Sequence, residues 1–145
     1  MHFPEGLKYS EEHTWVSVEG NIATVGITEY ASDELNNVLV VELPQEGDMV
    51  DQGESFGSLE SSKTVSDVFA PVSGEVIDVN SDAIDDPGIV NEYPYDDGWL
   101  IKVRMNEPDE LVALLSHLKY ETYVDEEADE DSTVNDDFDD IDDDE

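Results

Sequence analysis

The chain has 145 residues, with 40 Asp or Glu against 5 Lys or Arg and a formal charge of −35, so it lacks the positive face that neutralises nucleic-acid phosphates or anionic membrane surfaces. It contains no cysteine, which excludes disulfides, thiolate metal sites and cysteine nucleophiles. The length suits one domain with a real core, and no run of about 18 apolar residues is present to span a bilayer.

Met1-His2-Phe3-Pro4-Glu5 has neither a basic leader nor an Arg-rich transit pattern, so a cytoplasmic protein is expected. Residues 1–13 read as an irregular lead-in. Thr14-Trp15-Val16-Ser17-Val18-Glu19 alternates apolar with polar, Gly20-Asn21 suits a turn, and Ile22-Ala23-Thr24-Val25-Gly26-Ile27 resumes the strand pattern, which predicts a hairpin. Thr28 caps a predicted helix over residues 29–35, with Ala31 and Leu35 on one face, and Asn36-Asn37 ends it by tolerating the left-handed conformation. Val38-Leu39-Val40-Val41-Glu42-Leu43 is the most hydrophobic strand pattern in the chain and is expected at the centre of the core.

Strand patterns over residues 54–59 and 64–69 flank Ser61, Ser62 and Lys63. Serine hydroxyls satisfy backbone groups in tight turns, so Lys63 is expected at an exposed hairpin tip. It is the one Lys or Arg between Lys8 and Lys102. A strand is predicted at 75–79, then a polar, turn-rich stretch from 80 to 94, and another strand at 98–104. Residues 107–115 read as a helix with Pro108 in its permitted first turn and Leu111, Leu114 and Leu115 as its buried stripe. Residues 118–124 are expected to dock as a last short segment. Short strands with frequent turn residues point to a mainly β sandwich or flattened barrel.

Residues 125–145 hold 14 acids and no base, a density that predicts a disordered, solvating tail after a folded body at 1–124. The body still carries a net charge of −21. Such self-repulsion destabilises a compact state unless salt screens it, and the screening length falls to about 3 Å at about 1 M salt. A salt-rich cytoplasm, as in halophiles, is therefore expected. The acids of the body are scattered and show no EF-hand or histidine-pair spacing, which argues against a metal site or an acid/base pair.

Taken together, the chain resembles the glycine cleavage system H-protein family, carriers of lipoic acid. The resemblance rests on His13-Thr14-Trp15-Val16, Thr24-Val25-Gly26-Ile27-Thr28, Val40-Val41-Glu42-Leu43-Pro44, Gly47-Asp48, Glu60-Ser61-Ser62-Lys63, Ala70-Pro71-Val72-Ser73-Gly74-Glu75-Val76, Pro87-Gly88-Ile89-Val90-Asn91 and Asp97-Gly98-Trp99-Leu100, in family order over about residues 7–124. It implies a lipoyl-type hammerhead: two small antiparallel sheets packed as a sandwich, peripheral short helices and a C-terminal helix. It also implies a monomer that is a carrier and not a catalyst, with lipoate amide-linked to Lys63 by a lipoate ligase or octanoyltransferase. The dithiolane of that group would accept an aminomethyl group from glycine at the P protein. It would pass the group to the T protein for transfer to tetrahydrofolate and be reoxidised by the L protein, a dihydrolipoyl dehydrogenase.

Glu60, Ser61, Ser62 and Thr64 surround the implied attachment site, and Asp67, Glu12 and His13 are the residues implied to lie where the loaded arm rests. The family usually has a glutamate where this chain has Thr14, and Glu12 is the carboxylate placed to compensate. Ser62 and Thr64 replace the common valine and alanine with residues that are also small. Asn36 stands where glycine is usual and can take over its backbone role. Lys63 has acids and no base nearby in sequence, which favours its charged, non-nucleophilic form, so a separate enzyme must acylate it. A biotin carrier would flank its lysine with methionines, and a 2-oxoacid dehydrogenase lipoyl domain would lack His13-Thr14-Trp15 and the Gly98-Trp99 strand. A carrier that relays octanoyl or lipoyl groups to other lipoyl domains is the alternative reading. His13 reads from its neighbours as a packed, hydrogen-bonded ring, and Trp15 and Trp99 as core or cavity wall.

Overall fold

A computed structural model describes residues 2–133. Strands β1 (Lys8–Tyr9), β2 (Thr14–Glu19) and β3 (Ile22–Ile27) form an antiparallel meander. Its second hairpin is the predicted one, pairs Thr14 with Ile27 and Glu19 with Ile22, and turns at Gly20, where φ is +63°. Trp15 pairs directly with Gly26, and a Cβ there would lie 2.7 Å from the indole, so the missing side chain is what lets the ring lie across the neighbouring strand.

Helix α1 (Glu29–Leu35) has the predicted bounds. The Thr28 hydroxyl accepts from the Ala31 N–H, and Asn36 closes the helix at φ +62°. Strands β4 (Val38–Glu42), β5 (Met49–Val50), β6 (Ser55–Ser61), β7 (Val65–Phe69) and β8 (Gly74–Val79) follow. After the short helices α2 (Ser81–Asp85) and α3 (Gly88–Glu92) come β9 (Ile101–Met105), a 3₁₀ turn Pro108–Ala113 and the C-terminal helix α4 (His117–Thr133). The strands build a six-stranded sheet in the order β1-β2-β3-β9-β8-β5 and a three-stranded sheet in the order β4-β6-β7, with antiparallel pairing throughout. The mainly β, two-sheet architecture with peripheral helices is as expected. No helix of the described residues is long and apolar enough to cross a membrane.

Four local expectations are corrected. The strand expected at the centre of the core, β4, is an edge strand that buries Val38 and Val41 while Leu39 and Val40 stay exposed. A bulge between Val38 and Val40 breaks the alternation and turns two successive apolar side chains outward. The centre of the core lies instead on β3, β8 and β9, at Val25, Val76, Ile101 and Val103. The predicted helix at 107–115 is a 3₁₀ turn with no buried residue. Side chains three apart eclipse in that geometry, so no α-helical stripe forms. Leu111 and Leu114 pack at the margin of the main core, and Leu115 joins a different cluster.

The stretch 80–94 is not all turn. Asn80 caps α2 by accepting from the Asp82 N–H and donates to the carbonyls of Asp97 and Trp99, which organises two short helices from a polar sequence. The segment expected over 118–124 is the start of α4, which runs unbroken across residue 124 to Thr133. The rest of the predicted acidic tail, 134–145, lies outside the described residues.

A second, aromatic cluster gathers Tyr9, Trp15, Tyr30, Tyr120 and Val124, with Phe3, Tyr95 and Tyr123 packed against it. Tyr9 and Tyr120 stack with ring centroids 4.8 Å apart. The Tyr9 hydroxyl donates to the Pro4 carbonyl at 2.6 Å, and the Tyr95 hydroxyl accepts from the Glu29 N–H at 2.9 Å.

Burial pushes both phenols well above the usual tyrosine value. The charge of Tyr95 adds to the rise at Tyr9. At Tyr95 the Glu29 N–H pulls the other way, while the Glu29 and Asp33 carboxylates push up. A raised folded-state pKa means that the folded chain keeps protons the unfolded chain releases. The contribution of these two phenols to stability is therefore fully present below about pH 10 and is lost as pH climbs beyond it. The melting temperature is expected to hold from neutral to about pH 9 and to fall above about pH 10, less steeply in Tyr95→Phe. A profile unchanged by that substitution would remove Tyr95 from this account.

Candidate functional site

The hairpin of β6 and β7 carries the lysine, and its tip is tied down by one residue. The Ser61 N–H donates to the Thr64 carbonyl at 2.8 Å, and the Ser61 hydroxyl oxygen accepts from the N–H groups of Lys63 and Thr64, each at 3.3 Å. Ser61 is buried, whereas Ser62, Lys63 and Thr64 are exposed. A short buried serine thus satisfies the backbone of the turn and leaves the lysine stem to project from a fixed base. Among the described residues no ion pair involves Lys63. Lys102 differs: its ammonium lies 5.2 Å from the centroid of Trp99, which holds it over the ring.

Beside this hairpin is a cleft of about 270 Å³ between α1, the start of β2 and the inner face of β6 and β7. Ile27, Leu35, Leu59 and Val68 give it an apolar floor, and Glu12, Glu34 and Asp67 stand among its walls. An apolar floor with carboxylates around it suits a hydrocarbon arm that ends in a cation, because the floor removes methylenes from water and the carboxylates attract the positive end.

Seven of the eight residues singled out from the sequence divide between these two places. Glu12, His13 and Asp67 line the cleft. Ser61, Ser62, Lys63 and Thr64 form the hairpin tip, and Glu60 is on the opposite, outer face of the sheet, paired with Val40 and Val65. Thr14 also lines the cleft but is turned to local use, its hydroxyl 2.7 Å from that of Ser10.

Sequence reasoning missed Tyr30 and Glu34. They are four residues apart on α1, so they share a helix face next to the one carrying Ala31 and Leu35. That spacing was the available signal.

His13 is held in the left-handed region at φ +71°, a conformation that non-glycine residues adopt only when their surroundings impose it. Its carbonyl accepts from the Thr28 N–H. Its Nδ1 is 2.8 Å from the Tyr120 hydroxyl, which in turn is 2.7 Å from the Thr28 hydroxyl, the cap of α1. The ring also packs against Tyr30 at 4.7 Å between centroids. The packed, hydrogen-bonded reading of His13 therefore describes it, and through Tyr120 it fixes the cleft wall to α4.

An exposed lysine on a preorganised tip, with small residues on both sides, fits a covalent lipoyl group. Comparison with known proteins gives the same direction. The sequence model of the glycine cleavage H-protein family matches residues 7–127. The chain is 50% identical over 126 residues to the glycine cleavage system H protein of Staphylococcus carnosus, covering 87% of this chain and all of that protein. It is 46% identical, with the same coverage, to the glycine cleavage system H protein of Staphylococcus epidermidis. The crystal structure of a glycine cleavage system H protein from Mycobacterium marinum superposes with a TM-score of 0.74 at 37% identity, covering 81% of this chain and 95% of that one.

Proposed function

We propose that this chain, which belongs to the glycine cleavage H-protein family, is a lipoyl shuttle whose Lys63 carries lipoate between the P, T and L proteins in a salt-rich cytoplasm. The observation that carries the proposal is the exposed Lys63 at a tip whose backbone is already satisfied by Ser61. The lipoyl group would supply the two redox sulfurs that a chain without cysteine lacks, taking up, handing on and being reoxidised at the three enzymes in turn.

The polypeptide contributes attachment, reach and shelter. The fixed hairpin converts successive encounters into high local concentrations of one tethered group. The apolar floor of the cleft withdraws that arm from water between encounters, and Glu12, Glu34 and Asp67 attract a cationic end. With Thr14 bonded to Ser10, Glu12 is the carboxylate on that strand entrance able to compensate for the family's usual glutamate.

Intact mass of protein from its native source, with peptide mapping across residues 60–67, tests the proposal. One lipoyl group on Lys63 is the expected result. An octanoyl group would favour the relay alternative. An unmodified Lys63 in cells that lipoylate other proteins would overturn the carrier reading.

A further inference from the structure

Helix α1 supplies one wall of the cleft through Tyr30, Ala31, Glu34 and Leu35, yet it is only 7 residues long. A helix that short does not hold itself in water, so its position is set by what grips its ends. The Thr28 cap grips the first end. At the other end the last turn carries no basic side chain, and the Asn36 N–H goes to the Asp33 carbonyl at 3.2 Å. The terminal carbonyls there need donors from outside the helix. The Asn91 amide nitrogen meets that need, 3.3 Å from the Ser32 carbonyl, 3.2 Å from the buried Ser32 hydroxyl and within reach of the Asn36 carbonyl. The Asn91 side-chain oxygen accepts from the Val38 N–H at 2.8 Å. One side chain thus fastens the end of α1, the Asn36 turn and the first residue of β4. Asn91 is itself firmly seated. It follows the fully buried Val90 on α3, and a Cβ at Gly98 would lie 2.6 Å from the Tyr93 carbonyl oxygen and 2.7 Å from that of Ile89, so a missing side chain lets the chain close against α3.

We propose that Asn91 is a positioning residue of the carrier cycle: by holding α1 it sets how well the cleft keeps water from the aminomethyl cargo, and so how long that cargo survives between enzymes. The inference rests on the carrier reading above. Asn91 is not one of the residues that line the cleft; it acts through Ser32 and Asn36, between which Glu34 and Leu35 face the cavity. The cargo is lost when water takes it. The C–S bond breaks, one water molecule and the aminomethyl cation become formaldehyde and ammonium, and the sulfur keeps a proton. A wall free to move admits that water more often, so retention depends on the clamp. Acylation of Lys63 does not, because the hairpin tip is fixed separately by Ser61.

The test compares the full chain with Asn91→Ala and with Ser73→Ala, in high KCl. Ser73→Ala is the control for stability alone: it removes the 2.7 Å hydrogen bond from the Ser73 hydroxyl to Glu110, and neither residue lines the cleft. In the unmodified chain, amide hydrogen exchange over residues 32–38 is expected to rise about tenfold in Asn91→Ala, the effect of losing about one hydrogen bond. In the lipoylated chain, loaded by the P protein with glycine and held without the T protein, the half-life of the cargo is expected to fall about fivefold. The rate at which a purified lipoate ligase acylates Lys63 stays within about twofold. Ser73→Ala changes neither exchange over 32–38 nor half-life. If Asn91→Ala melts well below Ser73→Ala, Asn91→Asp carries the test. It keeps the acceptor for Val38 and removes the donor to α1, so exchange rises over 32–36 and the half-life falls while Val38 stays protected. Unchanged exchange over 32–36, or raised exchange with an unchanged half-life, would overturn the positioning role and leave the carrier reading standing. An equal loss of cargo in Ser73→Ala would also overturn it, by making retention a matter of global stability. A wild-type chain that accepts no lipoyl group at Lys63 would overturn both.

Discussion

Lys63→Arg is expected to abolish lipoylation and to take glycine decarboxylation, assayed with the P protein, down to the rate found without this chain, at an unchanged melting temperature. Arginine keeps the charge and length of the side chain, but its guanidinium stays protonated and does not form the amide. The turn does not depend on the side chain, because Ser61 satisfies the tip through the backbone N–H groups of Lys63 and Thr64. The loss is therefore chemical and not structural. Lys102→Arg is the companion variant: Lys102 is engaged with Trp99 and should leave modification and carrier activity intact. Activity retained by Lys63→Arg would end the carrier assignment of this residue.

Tyr120→Ala is expected to destabilise the chain by about 3–5 kcal/mol, the range for truncating a large buried aromatic. Tyr120 is fully buried, stacks on Tyr9, and has its hydroxyl within hydrogen-bond distance of both His13 and Thr28. For a domain of this size the cost corresponds to a drop of roughly 10–20 °C in melting temperature. Tyr120→Phe separates the two contributions. It keeps the ring but leaves the His13 nitrogen and the capping hydroxyl without this partner, at about 1–2 kcal/mol. Both are measured by thermal unfolding in molar KCl. A Tyr120→Ala chain that melts within about 2 °C of the wild type would mean that α4 is not part of the cooperative unit.

Much of this was readable from local signals. The Gly20 turn, the alternation on β2 and β3, the Thr28 cap and the Asn36 stop act within a few residues, and both the hairpin and the helix bounds emerged as read. The Lys63 tip was legible for the same reason, since turn chemistry and flanking strand propensity are properties of adjacent residues. The 3₁₀ turn at 108–113 was misread because Leu111, Leu114 and Leu115 have helical spacing, while in the fold they divide between two clusters, Leu111 and Leu114 at the margin of the main core and Leu115 at the aromatic one.

The sequence by itself determined where the chain turns, which residue is presented, and that the surface is strongly acidic, because turn, cap and charge are written in adjacent side chains. Only the tertiary structure decided which apolar strand is buried and which acids share a space. Strand order put the most hydrophobic segment at a sheet edge, a bulge sent Leu39 and Val40 outward, and Glu12, Glu34 and Asp67 converged from three separate segments. Burial belongs to a pair of surfaces, and the second surface is supplied by residues far away in the chain.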